Sequence, residues 1–308
     1  MKKELMDYCL SLNIEYAGIA PIGPYNELAE RWNRRIVRNH ITGFEEKDFN
    51  RRIDPTLTME DAKSIIVCLF PYFIGINEDS NLSKSSFTVD YHTIAKTKLE
   101  QIGEFLKKIN PQFEYMTFVD NGPLADRYLA YLAGLGYFGI NSHIITDKYG
   151  SYVFIGYIIN NYAFEPDKPQ DKTCIKCGAC VRSCPGCAIS GDFDINPLLC
   201  RSYITQKKGE LTEQDIEILR KSALVYGCDI CQDVCPYNKD VAHTPITQFT
   251  ENVKRNIEFE ELQEISNKEF TRRYKHRAFS WRGKNMLLRN FKLITLCGNS
   301  ADNDIIKK

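Results

Sequence analysis

The spacing of the cysteines constrains this chain more than any other feature of its sequence. Eight of its 12 cysteines lie in an arrangement typical of iron–sulfur proteins. One run, Cys-x2-Cys-x2-Cys-x3-Cys-Pro, extends from Cys174 to Pro185, and a second, Cys-x2-Cys-x3-Cys-Pro, begins at Cys228. The first run is the bacterial ferredoxin pattern, in which the fourth cysteine, here Cys184, binds the other of two clusters. The second run supplies only three ligands, and Cys200, between the runs, is available as the fourth.

This interlocked spacing predicts two [4Fe–4S] clusters with four thiolate ligands each. The first cluster is assigned Cys174, Cys177, Cys180 and Cys235, and the second cluster Cys184, Cys200, Cys228 and Cys231. Zinc sites also use Cys-x2-Cys pairs, but they close with four ligands and have no need of two Cys-Pro endings. Disulfides are typical of secreted proteins, and here the N-terminus leads into an amphipathic stretch rather than an apolar signal segment. Thiols that bind iron therefore point to the reducing cytoplasm.

Length and composition limit the remaining classes. The 308 residues exceed what a two-cluster module needs, so two or three domains are expected. A formal net charge of zero argues against a uniformly basic nucleic-acid-binding protein, but not against a local basic patch. No apolar run reaches the roughly 18 residues that a membrane span requires, so we expect no membrane association.

The residue pattern before the cysteines is typical of an α/β domain. Residues 64–70 form a short β-branched, apolar run, which indicates a buried strand. Residues 90–110 place apolar side chains along one face and charged side chains along the other, as in an amphipathic helix. A further helix is expected from Pro123 through Ala133, with Gly134 in position to cap it.

The chain therefore divides into three predicted domains. They are an α/β domain at residues 1–165, a double-cluster module at residues 166–243 and a basic helical tail at residues 244–308. The first boundary falls at a loop rich in Pro, Asp and Lys, a composition typical of linkers. Within the module, the residues from Thr212 to Asp215 resemble a capping box that opens a helix.

Basic and aromatic residues are concentrated in the tail. The segment 271–292 holds eight Arg and Lys residues and no acidic residue, with Tyr274, Phe279 and Trp281 interleaved. Such a mixture is typical of a surface that binds phosphates and stacks on bases. The candidate tRNA contacts are Arg272, Arg273, Lys275, Arg277 and Arg282. An ordinary solvated helix face fits the same composition.

Several longer motifs follow one another along the chain. They read Val-Asp-Asn-Gly-Pro-Leu-Ala-Asp-Arg at 119–127, Ala-Gly-Leu-Gly-Tyr-Phe-Gly at 133–139, Cys-Arg-Ser-Tyr-Ile-Thr at 200–205 and Tyr-Gly-Cys-Asp-Ile-Cys-Gln-Asp-Val-Cys-Pro at 226–236. Asp-Pro at 54–55 and Asp-Tyr-His at 90–92 precede them, so the motifs cover nearly the whole chain. In this order they resemble the epoxyqueuosine reductase family.

The resemblance implies a fold, a reaction and cofactors. The family combines a cobalamin-binding α/β domain, a ferredoxin-like double-cluster module and a HEAT-like helical tail, which is short in this chain. Its members remove the epoxide oxygen of epoxyqueuosine in a tRNA anticodon loop, and electrons pass through two [4Fe–4S] clusters to the cobalt of cobalamin. We therefore expect a monomeric oxidoreductase of queuosine biosynthesis, with tRNA and an unidentified electron donor as partners.

The resemblance also implies roles for individual residues. Asp120 corresponds to the family's proton donor. The positions that match cobalamin contacts are Arg52, Asp120, Ile144, Ile155, Ser202 and Asp229. Desolvation between cofactor and substrate would raise the pKa of Asp120 and keep it protonated. The alternative is that Asp120 caps the helix expected from Pro123, which is a common role for Asp.

The chain departs from the family pattern at several positions. Ile140 replaces a lysine that we expect to face the substrate, Lys84-Ser85 replaces Arg-Tyr, and Cys187 adds a thiol beside a cluster. The lysine-to-isoleucine change and the short tail favour a first alternative, a related corrinoid and iron–sulfur reductase that acts on a small molecule, as reductive dehalogenases do, whereas the basic aromatic tail opposes it. A second alternative is a non-enzymatic electron-transfer protein, although such a carrier needs no large α/β domain.

Overall fold

The computed structural model describes residues 1–75 and 79–295. The strands are β1 (Tyr16–Ala20), β2 (Ser64–Pro71), β3 (Tyr115–Val119), β4 (Tyr137–Phe138), β5 (Ile144–Ile145) and β6 (Val153–Asn160). The helices are α1 (Lys2–Ser11), α2 (Asn26–Val37), α3 (Phe49–Ile53), α4 (Tyr91–Ile109), α5 (Asp126–Leu132), α6 (Ala179–Ser183), α7 (Arg201–Ile204), α8 (Glu213–Arg220), α9 (Ile230–Asp233), α10 (Phe259–Glu264), α11 (Asn267–Tyr274) and α12 (Lys284–Thr295). In this part of the chain, no helix is both long and apolar enough to cross a membrane.

An antiparallel sheet organises the N-terminal half of the chain. Its strand order is β1-β2-β6-β3, and each neighbouring pair is antiparallel. The last residue of β3, Val119, pairs with Gly156 of β6, so the loop after β3 leaves from the sheet at this point. The short strands β4 and β5 form a separate antiparallel pair. The prediction of mixed α and β structure is confirmed.

Strand β2 is buried along its whole length because helices cover both faces of the sheet. Alternate side chains of a strand point to opposite faces. Ile66 and Phe70 pack in one core with apolar residues of α1 and α4, whereas Ile65 and Leu69 pack in a second core with residues of α5. A strand that is covered on both faces reads as a continuous apolar run, and this explains the composition of β2.

Two helices frame the loop that follows β3. Asp90 caps the start of α4 with its carboxylate, and the predicted helix there is confirmed. The prediction that a helix begins at Pro123 is wrong, because α5 begins at Asp126 and is preceded by Ala125, which provides no side-chain cap. The intervening residues form a loop in which Asp120 has a φ of 58°.

The cysteine-rich segment consists of the short helices α6 to α9 and their connecting loops. The predicted capping box is confirmed: Thr212 Oγ1 accepts a hydrogen bond from Asp215 N at 3.2 Å, and Asp215 Oδ2 accepts one from Thr212 N at 3.0 Å. Cys200 immediately precedes α7, so its thiol stands at a helix start rather than within a helix.

The tail packs against the rest of the chain rather than standing apart. Phe270 and Leu287 share a hydrophobic cluster with Leu82 and Phe87, and Phe249 joins the core on one face of the sheet. Apolar packing therefore crosses the predicted boundary between residues 243 and 244. The three-domain division stays a prediction, and residues 296–308 of the predicted tail lie outside the described residues.

Candidate active site and cluster sites

The four thiols assigned to the first cluster line one cavity. Ile140 also contributes to its wall. Cys174 and Cys180 are buried, whereas Cys177 is exposed. Burial raises the pKa of the Cys180 thiol, and the neighbouring thiols of Cys235, Cys174 and Cys177 raise it further. The four sulfur atoms therefore converge on a single space, which we call the first thiol group.

The four thiols assigned to the second cluster form a neighbouring set, which we call the second thiol group. Burial raises the pKa of the Cys231 thiol, and the nearby Cys200, Cys228 and Cys184 thiols add to the rise. Cys180 of the first thiol group also acts on Cys231, so the two groups adjoin each other. The structure therefore brings together the same two sets of four that the spacing predicts.

The cysteines within the described ranges are free thiols. In those same ranges, no three His, Cys, Asp or Glu side chains are arranged to hold a single metal ion. A [4Fe–4S] core carries its four thiolates on separate iron atoms, so it fits a wider space than one ion does.

Asp120 stands at the end of β3 in an unusual backbone conformation. Its φ of 58° lies in the left-handed region, which non-glycine residues rarely adopt and which occurs often at functional sites. The side chain is 60% exposed, and the Nε2 of His92 lies 3.5 Å from its Oδ2. The Tyr91 hydroxyl donates a 2.8 Å hydrogen bond to the same oxygen. Since α5 begins at Asp126, Asp120 does not cap that helix.

The charges in this network differ from the expectation for Asp120. Desolvation acts to raise the pKa of Asp120, but the hydrogen bonds from His92 and Tyr91 outweigh it and lower the pKa. Desolvation likewise acts to lower the pKa of His92, but the hydrogen bonds to Asp120 and Asp90 raise it to about 9. The expectation of a protonated Asp120 refers to burial between cofactor and substrate, so it stays a prediction. At neutral pH, Asp120 is an anion and His92 is a cation.

The ring of His92 is held from both sides. Its Nδ1 lies 2.7 Å from Asp90 Oδ1, the oxygen that also caps α4. Tyr91 stacks on His92 with a ring-centroid distance of 4.1 Å, and on Phe154 at 3.9 Å. The sequence motif Asp-Tyr-His at 90–92 had no assigned role, yet it supplies the partners of Asp120. The sequence signal that could have identified this role is a helix-capping Asp followed directly by Tyr and His, two side chains that can carry a proton.

A second carboxyl group, Asp126, lies near Asp120. Burial and the charge of Asp120 raise the pKa of Asp126 well above its ordinary value, although Arg52 and Arg127 act in the opposite direction. Its Oδ1 is buried and has no hydrogen-bond partner in the described structure. Asp126 therefore has one buried oxygen available for a hydrogen bond.

The residues that match cobalamin contacts come from distant parts of the sequence. Arg52 and Asp120 lie close enough to act on the same carboxyl group, that of Asp126. Asp229 directly follows Cys228, and Ser202 is separated from Cys200 by a single residue. Because both cysteines are assigned to the second cluster, Ser202 and Asp229 border the second thiol group.

Arg127 links these two regions. It acts electrostatically on Asp120 and also on Cys200, and its Nη1 donates a 3.1 Å hydrogen bond to the Ser142 carbonyl. Ile144 and Ile155 pack with the core beneath β2 and α5. The structure therefore brings Arg52 and Asp120 together at Asp126, and the joint grouping of the other matched positions stays a prediction.

The departures from the family pattern have structural explanations. Ile140 is buried beside Cys174 and Cys180, so the expectation that this position faces the substrate is wrong. Lys84 donates from its backbone nitrogen to Asp229 Oδ2 at 2.7 Å. Burial raises the pKa of Asp229 to about 6, although Lys84 opposes the rise. Cys187 is exposed.

The basic segment does not present all of its charges to solvent. Arg277 is buried, and its guanidinium donates hydrogen bonds to the carbonyls of Phe87 at 3.1 Å and Asn252 at 2.5 Å. It packs the tail onto the chain, so its assignment as a tRNA contact is wrong. Arg272 lies 2.7 Å from Glu269, and this acidic partner precedes the segment in sequence.

Other basic residues remain at the surface. Arg273 is exposed and pairs with Glu261 at 2.8 Å, while Lys275 is exposed. Arg282 lies 3.7 Å from the centroid of Trp281 and 4.9 Å from that of Phe44. These last two rings are 52% and 47% exposed, respectively, so the three residues form an exposed stacking group.

Two family models match the chain. The model described as epoxyqueuosine reductase QueG, DUF1730, matches residues 52–121, and the model described as a 4Fe-4S double cluster binding domain matches residues 173–238. The first match ends just beyond Asp120, and the second spans both thiol groups.

Curated relatives match the chain from end to end. An epoxyqueuosine reductase of Lactococcus garvieae (strain Lg2) is 35% identical over 317 residues, which cover 100% of this chain and 89% of the relative. An epoxyqueuosine reductase of Bacillus subtilis (strain 168) is 32% identical over 94% of this chain and 77% of the relative.

Solved structures share the fold. A crystal structure of epoxyqueuosine reductase with a tRNA-Tyr epoxyqueuosine-modified tRNA stem loop has a TM-score of 0.89 and 31% identity, over 96% of this chain and 80% of that chain. The epoxyqueuosine reductase from Streptococcus thermophilus has a TM-score of 0.86 and 30% identity over the same shares.

Proposed function

The chain belongs to the epoxyqueuosine reductase family, and we propose that it reduces epoxyqueuosine to queuosine in tRNA through two iron–sulfur clusters, cobalamin and Asp120. The observation that carries this proposal is the position of Asp120. Asp120 lies in a strained loop. The charge of Arg127 acts both on Asp120 and on Cys200 of the second thiol group. A proton-carrying group and an electron-carrying group therefore border the same space.

The two thiol groups fit two [4Fe–4S] clusters. Each contains four free thiols, and those of the first line one shared pocket. In this proposal Cys174, Cys177, Cys180 and Cys235 bind the first cluster, and Cys184, Cys200, Cys228 and Cys231 bind the second. The exposed Cys177 makes the first cluster the entry point for electrons from the unidentified donor.

Cobalamin fits the space between Asp120 and the second thiol group. Its amide-bearing rim requires hydrogen-bond partners, and the unpartnered, buried Oδ1 of Asp126 is one such group. Arg52, Ile144, Ile155, Ser202 and Asp229 are the further residues that would hold it. When bound, cobalamin supplies a low-potential centre that passes electrons to the substrate carbon.

The reaction needs protons as well as electrons. Removal of the epoxide oxygen as water consumes two electrons and two protons. In this proposal the His92 cation donates its Nε2 proton to Asp120 Oδ2, which lies 3.5 Å away, and Asp120 delivers it to the departing oxygen. The role implied for Asp120 as proton donor is kept, but its proton comes from His92 rather than from a raised pKa of its own.

We place tRNA at the exposed stacking group of Phe44, Trp281 and Arg282. Aromatic rings and arginine planes stack on unpaired bases, and an anticodon loop offers such bases. Asp120 and Arg282 both act on the hydroxyl group of Tyr226, so the stacking group lies within reach of Asp120. Arg272, Arg273 and Lys275 would add phosphate contacts at the edge of this surface.

The small-molecule alternative loses its main support. It depended on the short tail and on the replacement of a substrate-facing lysine by Ile140, but the Ile140 side chain lies against the first thiol group. The change therefore alters the surroundings of a cluster rather than the substrate site.

The direct test uses anaerobically purified protein with its cofactors, a one-electron donor and a stem loop that carries epoxyqueuosine. Mass spectrometry of the digested nucleosides should show conversion to queuosine. Reduction of a small halogenated substrate with no conversion of the stem loop would contradict the proposal.

A further inference from the structure

Arg201 is the largest of the fully buried side chains in the described structure. Only 1% of its surface is exposed. Its nitrogens donate hydrogen bonds of 2.6 to 3.1 Å to four backbone carbonyls, those of Leu219, Ser222, Leu224 and Gly227. An arginine keeps its charge in proteins, so these contacts fix a permanent positive charge inside the cysteine-rich segment.

None of the ion pairs within the described ranges includes a carboxylate partner for Arg201. Carbonyl groups orient the guanidinium, but they carry no net charge to balance it. A buried charge without an opposite charge is strongly destabilising. Arg201 directly follows Cys200 in sequence, and its Nη1 donates to the carbonyl of Gly227, the residue before Cys228. The thiols of Cys228 and Cys200, both in the second thiol group, are the groups that act on it electrostatically.

We propose that Arg201 is the buried counter-ion of the second cluster and raises its reduction potential above the value that it would otherwise have. This inference rests on the ligation proposed above. A cluster with four thiolates carries net negative charge, and reduction adds one more electron. A fixed cation nearby therefore stabilises the reduced form more than the oxidised form.

The first thiol group has a different setting. The groups that act most strongly on Cys180 and Cys235 are other thiols and backbone groups. Arg182 donates a 3.1 Å hydrogen bond to the carbonyl of Cys177, but its side chain is exposed, so water screens its charge. Around the second thiol group, Arg127 adds to the positive charge, whereas Asp229 is paired with Lys84 at 3.8 Å. The charge of Arg201 therefore favours the transfer of an electron from the first cluster to the second. In this step the first cluster is oxidised and the second cluster is reduced.

The test is a redox titration of the reconstituted protein under anaerobic conditions, followed by electron paramagnetic resonance. In Arg201→Gln, the signal of one cluster should appear at lower potential than in the native protein, while the other stays in place. The shifted signal should be the one whose shape changes in Cys200→Ser. Arg201→Lys keeps the positive charge and should stay close to the native potential.

Arg277→Gln is the matched control, because Arg277 is also buried and also donates to two carbonyls, but no thiol acts on it. It should leave both potentials unchanged. If Arg201→Gln does not retain its second cluster, loss of about four irons from this variant alone, with Arg201→Lys intact, carries the same conclusion.

Native potentials in an Arg201→Gln protein that retains both clusters would overturn the inference. A shift in Arg201→Lys as large as that in Arg201→Gln would also overturn it, because charge would then not be the operative property. If instead the proposed ligation of the two clusters is wrong, the native protein itself would lack about eight irons per chain. The two failures can therefore be told apart by the iron content of the native protein.

Discussion

The two thiol groups and the Asp120 network are assembled differently. The first thiol group takes three of its four sulfurs from one short run and the fourth from Cys235, whereas the second takes two from the short run at Cys228 and Cys231 and two from the separate Cys184 and Cys200. The Asp120 network instead joins the start of α4 to the end of β3, which the sheet brings together. The thiol groups contain apolar walls and a buried cation, whereas the Asp120 network alternates carboxylates with a protonated imidazole.

This difference separates two tasks. A cluster ligand set must hold thiolates at fixed spacing, and short runs of backbone do that. A proton donor must regain its proton after each turnover. It therefore needs neighbouring groups that can supply a proton, and here these groups come from another element. Substitutions in the thiol groups should therefore leave the Asp120 network intact, and substitutions in the network should leave the thiol groups intact.

Replacement of a ligand should have the largest effect. Cys200→Ser should disturb the second cluster and leave the first, because Cys200 belongs to one thiol group only. Turnover on the epoxyqueuosine stem loop should be abolished, since the electron path is broken. Iron analysis and electron paramagnetic resonance should show one native cluster, and Cys9→Ser is the control at a cysteine outside both groups. Full turnover with a single remaining cluster would show that the two-cluster path is wrong.

Loss of the proton donor should come next. Asp120→Asn keeps the size of the side chain but cannot transfer a proton, so turnover should fall by about two to four orders of magnitude. Both clusters should remain and should still be reducible. The exposed Asp7→Asn is the matched control and should behave as the native protein does. Loss of iron from Asp120→Asn would mean that the two regions are not separable.

His92→Gln tests the source of the proton. It should lower turnover by about tenfold to a hundredfold, the cost of losing a hydrogen bond to a charged group. In the native protein, turnover should fall as pH rises past about 9, because the pKa of His92 is raised to that value. This alkaline fall should be absent in His92→Gln and present in His276→Gln.

The same shift predicts a change in stability. The folded state raises the pKa of His92 from 6.5 to about 9. The stabilising contribution of the cation is therefore complete below about 6.5 and is lost as pH rises through about 9. Thermal unfolding of the native protein and of His92→Gln over this range should converge at the alkaline end. A constant difference between them across the range would exclude a titrating His92.

The smallest effect is expected at the tRNA surface. Trp281→Ala should weaken stem-loop binding by about tenfold, within the range for removal of one stacking ring. Arg272→Gln should change affinity less, because Arg272 is already paired with Glu269. Reduction of both clusters should be native in each variant. Binding titrations at two salt concentrations distinguish stacking from phosphate contact, since only the latter depends steeply on salt. Equal losses in the two variants would contradict the stacking group.

The sequence predicted the cluster region better than the Asp120 region for a physical reason. The ferredoxin spacing assigns one cysteine of each run to the other cluster, so the grouping of Cys180 with Cys235 could be predicted without a structure. The charge of Asp120 depends on Tyr91 and His92, which reach it only after the sheet forms. Burial of Ile140 depends likewise on packing between segments, and it could not be inferred from the residue type.

The basic segment teaches the same lesson. A run of positive residues without acids looks like one binding surface in the sequence. In the fold, Arg277 is buried and donates hydrogen bonds to carbonyl groups of distant residues. Arg273 forms an ion pair with Glu261 of another helix. Only contacts between elements decide which of these charges remain available to tRNA.

The most direct test of the account measures the tRNA nucleosides of a bacterial strain that lacks its own epoxyqueuosine reductase. Mass spectrometry should detect queuosine when the strain expresses the native chain. Cys200→Ser and Asp120→Asn should each leave epoxyqueuosine in its place, because electrons and protons are both required. Queuosine restored by either variant, or epoxyqueuosine that persists with the native chain, would contradict the account.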